Sequence, residues 1–138
     1  MSQTALFTGG CLCGALRYRA SAPPKVSGYC CCRDCRKASG SGFIPFMALD
    51  AAAFATSGPS LQVRTPAFRG TIAVRNFCPS CGGLVYGGVI GEDQAHTVYA
   101  GSLDQPEIFQ PTIAIFVRDR VPWTVLPEGL TLFDLMPD

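Results

Sequence analysis

The sequence is poor in charge, and it has one histidine. Only 15% of its 138 residues are charged, and the formal net charge is +1. So small a charge leaves no broad electrostatic footprint for nucleic acid or an anionic membrane surface. With 48% apolar residues, general disorder is also excluded. No apolar run approaches the roughly 20 residues that a membrane-spanning helix needs. Residues 1–7 lack both a basic region and a long apolar stretch, so they do not read as a secretory leader. Together these absences predict a cytoplasmic protein whose thiols are kept reduced. Eight cysteines in that setting call for metal rather than disulfides. The length predicts one domain over residues 1–138, large enough to bury a core without covalent staples.

A long amphipathic helical stripe is also missing. Fifteen glycines and eleven prolines punctuate the chain finely. Between them recur short runs rich in β-branched and aromatic residues, which read as strands. These runs cover residues 16–20, 26–32, 43–49, 61–65, 71–77, 84–90, 97–100 and 112–117. Turn signals such as Ser57-Gly58-Pro59 and Asp104-Gln105-Pro106 separate them. Two short helices are expected. One covers Arg33–Ser39 before a stop at Gly40, and the other covers 50–55 behind the capping residue Asp50. The reading is mainly β. The tail 130–138 carries Leu132, Phe133 and Leu135, which either pack on the body or fray.

The cysteines fall into three patterned groups and one extra residue. Cys11 and Cys13 form a CxC pair. Cys30, Cys32 and Cys35 form CxCxxC, with Cys31 between the first two. Cys78 and Cys81 form CxxC before Gly82-Gly83. In an extended strand, residues two apart share a face. Alternation therefore aims Cys11 with Cys13, and Cys30 with Cys32, while sending Cys31 to the other side. CxxC followed by glycine is the turn that gathers two sulfurs around tetrahedral zinc, and Gly82 or Gly83 can take the positive φ it needs. Adjacent cysteines such as 30–32 are poorly shaped for disulfides. Seven ligands do not fill two four-thiolate sites. They suit one closed site and one three-cysteine site with an open position, the arrangement that separates structural from catalytic zinc. Spacing alone leaves the pairing open, and a linear ribbon would join Cys11 and Cys13 to the central group.

The motifs Gly10-Cys11-Leu12-Cys13-Gly14, Cys30-Cys31-Cys32-Arg33-Asp34-Cys35-Arg36-Lys37 and Phe77-Cys78-Pro79-Ser80-Cys81-Gly82 resemble those of the glutathione-dependent formaldehyde-activating family. Gly101-Ser102-Leu103-Asp104 and Pro122-Trp123 resemble its C-terminal signature. The resemblance runs in order along nearly the whole chain. It implies small twisted antiparallel sheets of the β-tent type with one or two short helices. It also implies a ligand set: Cys11, Cys13, Cys78 and Cys81 on a structural Zn²⁺, and Cys30, Cys32 and Cys35 on a catalytic one. Cys31 and Ala114 depart from the family, which commonly carries histidine at both positions.

The activity implied is that of a carbon–sulfur lyase, or S-(hydroxymethyl)glutathione synthase, joining a small thiol such as glutathione to a small aldehyde. The alternatives are a non-catalytic zinc-stabilised binding module and a redox sensor with a labile zinc. Arg33, Arg36 and Lys37 flank the open site and are candidates to pair with the carboxylates of glutathione. The plainer reading makes them a solvated basic turn. Phe43, Phe46 and Met47 are expected either in an apolar pocket beside the site or in the core. Cys31 is expected to be a small buried hydrophobe, and Arg17 a structural ion-pair partner. His96 is expected in a surface turn, and Trp123 closing the core.

Overall fold

Period-two patterning builds this protein from strands too short to stand alone. The computed structural model describes residues 5–137. Most of segment 1–7, and the last residue of the tail, lie outside the described residues. The strands are β1 (Phe7–Gly10), β2 (Arg17–Ala20), β3 (Val26–Cys30), β4 (Ile44–Asp50), β5 (Phe54–Ser57) and β6 (Leu61–Pro66). They continue as β7 (Ile72–Phe77), β8 (Leu84–Gly87), β9 (Ala95–Tyr99), β10 (Ile113–Ile115) and β11 (Thr131–Leu132). A helix, α1 (Arg33–Ser39), follows β3 and stops at Gly40, whose φ of 72° only glycine adopts without strain.

Two sheets result. The smaller is antiparallel in the order β1-β2-β5; the larger runs β11-β10-β3-β4-β9-β8-β7-β6. Strand β10 pairs in parallel with both β3 and β11, and the other pairings are antiparallel. Alternation decides what each face does. On β4, Met47 and Leu49 are buried with Val85 and Val98 of the large sheet and with Phe7, Tyr18 and Phe54 of the small one. Phe46 and Ala48, one position off, line a cavity on the opposite face. The large sheet thus has one face closed by the small sheet and one face hollow.

All eight strand runs read from the sequence occur, each within a few residues. Strand β1 was hidden by Gly9-Gly10, residues that disfavour strands. Gly9 is required because the Tyr18 hydroxyl packs over it, where a Cβ would come within 2.2 Å. That hydroxyl lies 2.8 Å from Ser102 Oγ. The expected helix over 50–55 is one 3-10 turn, Ala51–Ala53, which gives way to β5 because Phe54 is drawn into the core. The tail packs: β11 joins the sheet, and Phe133 and Leu135 lie against Ile115 and Phe116, while Leu132 stays exposed. Arg17 is the ion-pair partner of Asp104, with Nη1 to Oδ1 at 3.0 Å.

Two residues sit differently from their expected places. His96 is buried in β9, where Nδ1 donates to the Gly87 carbonyl at 3.1 Å and the ring lies 5.2 Å from Phe54. Strand pairing with Leu49 carries it inward, overriding the local turn signal. Trp123 is 67% exposed, because the turn closed by Thr124 N donating to Val121 O puts Thr124 inside instead.

Asn76 is fully buried on β7, and its Nδ2 donates to the Tyr86 and Gly88 carbonyls at 3.1 and 2.9 Å. Both acceptors flank the irregular β7–β8 register. Asn76→Ala leaves them short of a donor, so urea unfolding should show a loss of about 1–3 kcal/mol.

Candidate metal centres

Two turns meet to make the first cysteine group. Cys11 and Cys13 lie in the β1–β2 connection rather than in an extended strand, so strand alternation is not what aligns them. Backbone bonds from Cys11 N to Leu16 O (2.9 Å) and Gly14 N to Cys11 O (3.2 Å) shape that turn. Cys78 and Cys81 follow β7 in a turn where Gly82 takes φ 75° and its N–H donates to Cys78 O at 2.8 Å. Gly83 lets the turns touch: a Cβ there would lie 3.3 Å from Cys11 Cβ.

The Sγ atoms of Cys11 and Cys13 are 3.7 Å apart, as are those of Cys13 and Cys78. All four sulfurs lie within 4.8 Å of one another, so the group could hold a metal ion. Tetrahedral Zn²⁺ with Zn–S of about 2.3 Å requires sulfurs about 3.8 Å apart. A disulfide requires about 2.05 Å, and all eight cysteines are free. The donor set therefore fits zinc. Leu16 N and Cys81 N donate to the sulfurs of Cys11 and Cys78 at 3.3 and 3.5 Å, supporting thiolate charge.

The second group is built at the β3–α1 junction. Cys30 ends β3, and Cys32 caps α1 with extended backbone, its Sγ accepting from Cys35 N at 3.2 Å. Cys35 stands in the first helical turn, and the three sulfurs again lie within 4.8 Å of one another. Here alternation does hold. Cys31 turns away and is fully buried, and burial pushes its thiol up. Thiol donation from Cys30 and Cys35 favours the Cys32 thiolate, while the same contact with Cys32 pushes Cys30 up. Three sulfurs this close resist losing three protons together unless a cation compensates.

One cation is already present. Arg75 on β7 is 8% exposed, with Nη1 donating to Thr65 Oγ1 at 3.2 Å and Nη2 directed at Cys35 Sγ at 3.9 Å. The sequence reading missed it. Its signal, an arginine three residues before Cys78 on a strand, is visible only once β7 is known to pass the central cysteines.

The three cysteines stand where two cavities join. One, of about 520 Å³, is walled by apolar residues including Phe46, Ile72 and Ile113, with Cys30 and Cys35. The other, of about 730 Å³, carries Arg33, Arg69, Arg75 and Arg118 against Asp34 and Asp119, with Cys30 and Cys32. Of the sequence candidates, Arg33 reaches this cationic wall, paired with Asp34 at 3.1 Å. Arg36 and Lys37 line neither cavity. Phe46 faces the apolar cavity and Met47 the core, while Phe43 packs edge-on against Tyr29. Arg69 and Phe116, with φ of 58° and 54°, are the non-glycine residues in the left-handed region among those described. Both line the cationic cavity. Such backbone costs on the order of 1–3 kcal/mol and gathers at functional sites.

A mainly β protein with a four-cysteine group and a separate three-cysteine group, each able to hold a metal ion, is the class that fold and site define. The model of the glutathione-dependent formaldehyde-activating enzyme family matches residues 6–119. The chain belongs to that family. Among solved structures, the crystal structure of a Rhodobacter sphaeroides protein, a structural-genomics target, shares the fold with a TM-score of 0.53. It is 16% identical, and the alignment covers 91% of this chain and 98% of that one. No curated protein matches the sequence. No helix among the described residues is long and apolar enough to cross a membrane.

Proposed function

We propose that the chain is a carbon–sulfur lyase, working in either direction between a thiol plus an aldehyde and their hydroxyalkyl thioether adduct. Cys11, Cys13, Cys78 and Cys81 hold a structural Zn²⁺ in this reading, and Cys30, Cys32 and Cys35 hold a catalytic one. The observation that carries it is the contrast between the groups. Four sulfurs enclose the first, whereas three sulfurs and a buried arginine form the second, at the mouth of two cavities.

Zinc held by three thiolates would lower the pKa of a thiol brought to its open position. The other work falls to the chain. The cationic wall receives the carboxylates of an acidic thiol such as glutathione, with Arg33, Arg69 and Arg118 toward the rim and Arg75 at the cysteines. Arg75 also offsets the surplus negative charge of the sulfur cluster and orients Cys35. In the forward direction the substrate sulfur adds to the carbonyl carbon. A C–S bond forms, the C=O π pair moves to oxygen, and that oxygen takes up the proton the thiol released. The reverse breaks the same bond without any oxidant or reductant. Tyr99 faces the apolar cavity, and burial pushes its hydroxyl up, so it remains a neutral donor for that oxygen. Holding both reactants beside one another supplies much of the rate.

The test is metal analysis with a screen of small thiols and aldehydes. Glutathione added to the cobalt-substituted protein should shift the thiolate absorption band. An unchanged band across the thiol screen, with no turnover, would favour a zinc-stabilised module without chemistry.

A further inference from the structure

We propose that the apolar cavity receives the carbon side of the adduct, so that the carbonyl partner is an aldehyde with an extended apolar chain rather than a one-carbon compound. This rests on the reading of the three-cysteine cluster as a thiol–aldehyde centre, and it adds the substrate class.

Size is the first argument. An aldehyde of one carbon needs on the order of two water volumes, about 60 Å³. The cavity holds about 520 Å³. That is a typical volume for a small-molecule site. Position is the second. The hollow face of the large sheet runs from Cys30 on β3 through Phe46 and Ala48 on β4 to Thr97 on β9, so the cavity continues directly from the reacting sulfurs. Small residues, Ala48, Ala73, Gly87 and Ala95, keep it open where larger side chains would fill it.

Chemistry is the third argument. Among the described residues no cation lines this cavity, and the one charged residue there, Asp93, already accepts from Val89 N at 2.6 Å. A carboxylate-bearing thiol is therefore directed to the arginine wall on the other side. Cys30 lines both cavities, which places the C–S bond between an anionic half and an apolar half. The step is unchanged: the C–S bond breaks with its electron pair going to sulfur, the O–H pair becomes the C=O π bond, the hydroxyl proton passes to sulfur, and aldehyde and thiol separate.

The experiment uses the zinc-loaded full chain and unreactive S-alkylglutathiones, from methyl through butyl and hexyl to octyl, with binding read by calorimetry. Affinity should rise about fourfold per methylene until the cavity fills, the change expected for burying each CH₂. A parallel series from ethanethiol to octanethiol removes the dependence on glutathione. Ala48→Phe lies away from the cysteines at a position where an aromatic suits a strand. It should flatten both series with metal content unchanged, and Ala48→Leu should shorten the preferred chain. Turnover of glutathione adducts of formaldehyde, ethanal, butanal and octanal is measured alongside. Chain-length-dependent binding without turnover upholds the apolar subsite and removes the lyase reading. Turnover of the formaldehyde adduct with flat binding in both series overturns the subsite and keeps the lyase. A dimer that Ala48→Phe dissociates, again with flat binding, assigns the face to a second copy and overturns the proposal.

Discussion

Replacing Cys81 with serine is expected to unfold the protein. The four-cysteine knot is the one place where the β1–β2 turn, near the start of the chain, meets the turn after β7. Cys78 is buried in the main core with Cys11 and Cys81 packed against it, while Cys13 and the residues flanking Cys13 and Cys81 are exposed, so the outer half of the knot has little apolar burial of its own. Zinc bound by four thiolates is worth about 10–16 kcal/mol in zinc-finger peptides. Whole domains are stable by about 5–15 kcal/mol. Loss of one sulfur therefore weakens a contribution comparable in size to the entire margin. Far-ultraviolet circular dichroism should show a collapsed melting transition for Cys81→Ser, and strong chelators should produce the same change in the native protein. A variant that melts with the native Tm would remove the structural role assigned to this knot.

Cys35→Ser should do the opposite, sparing the fold and abolishing turnover. Helix α1 keeps its N-terminal cap from Cys32 and its stop at Gly40, and it has no buried residue that anchors the core. The main core, between the small sheet and one face of the large one, does not include Cys35. What is lost is the third sulfur and the contact with Arg75. Loss of an outer partner alone costs about 10–100-fold in metal affinity or activity. Arg75→Gln should therefore fall in that range, and Cys35→Ser should exceed about 100-fold on the same scale. Metal content should drop by one ion in Cys35→Ser, with an unchanged dichroism spectrum. Native turnover in this variant would exclude the three-cysteine cluster as the reacting centre.

Much of the site was legible because zinc ligation is written in local spacing. CxxC followed by glycine announces its turn, and Gly82 adopts the positive φ expected of it. The CxCxxC run likewise separates Cys31 from Cys30 and Cys32 by simple alternation. Arg75 was not legible, since its partner Cys35 is 40 residues away. Nor was His96, whose turn-like neighbourhood says nothing of the β4 strand beside it. Strands β1 and β5 escaped because Gly9-Gly10 and the run of alanines carry local preferences that packing overrides.

By itself, then, the amino-acid order determined a mainly β chain with seven patterned sulfurs and little charge. These properties depend on composition and on neighbours within a few residues. Tertiary structure brings Cys11 and Cys13 to Cys78 and Cys81 rather than to the central group, a pairing that spacing left open and only the family resemblance had implied. It also decided that the central group opens between an arginine wall and an apolar hollow. Both depend on which distant segments lie side by side, and sheet order is set by burying one face of every strand at once rather than by any single stretch of sequence.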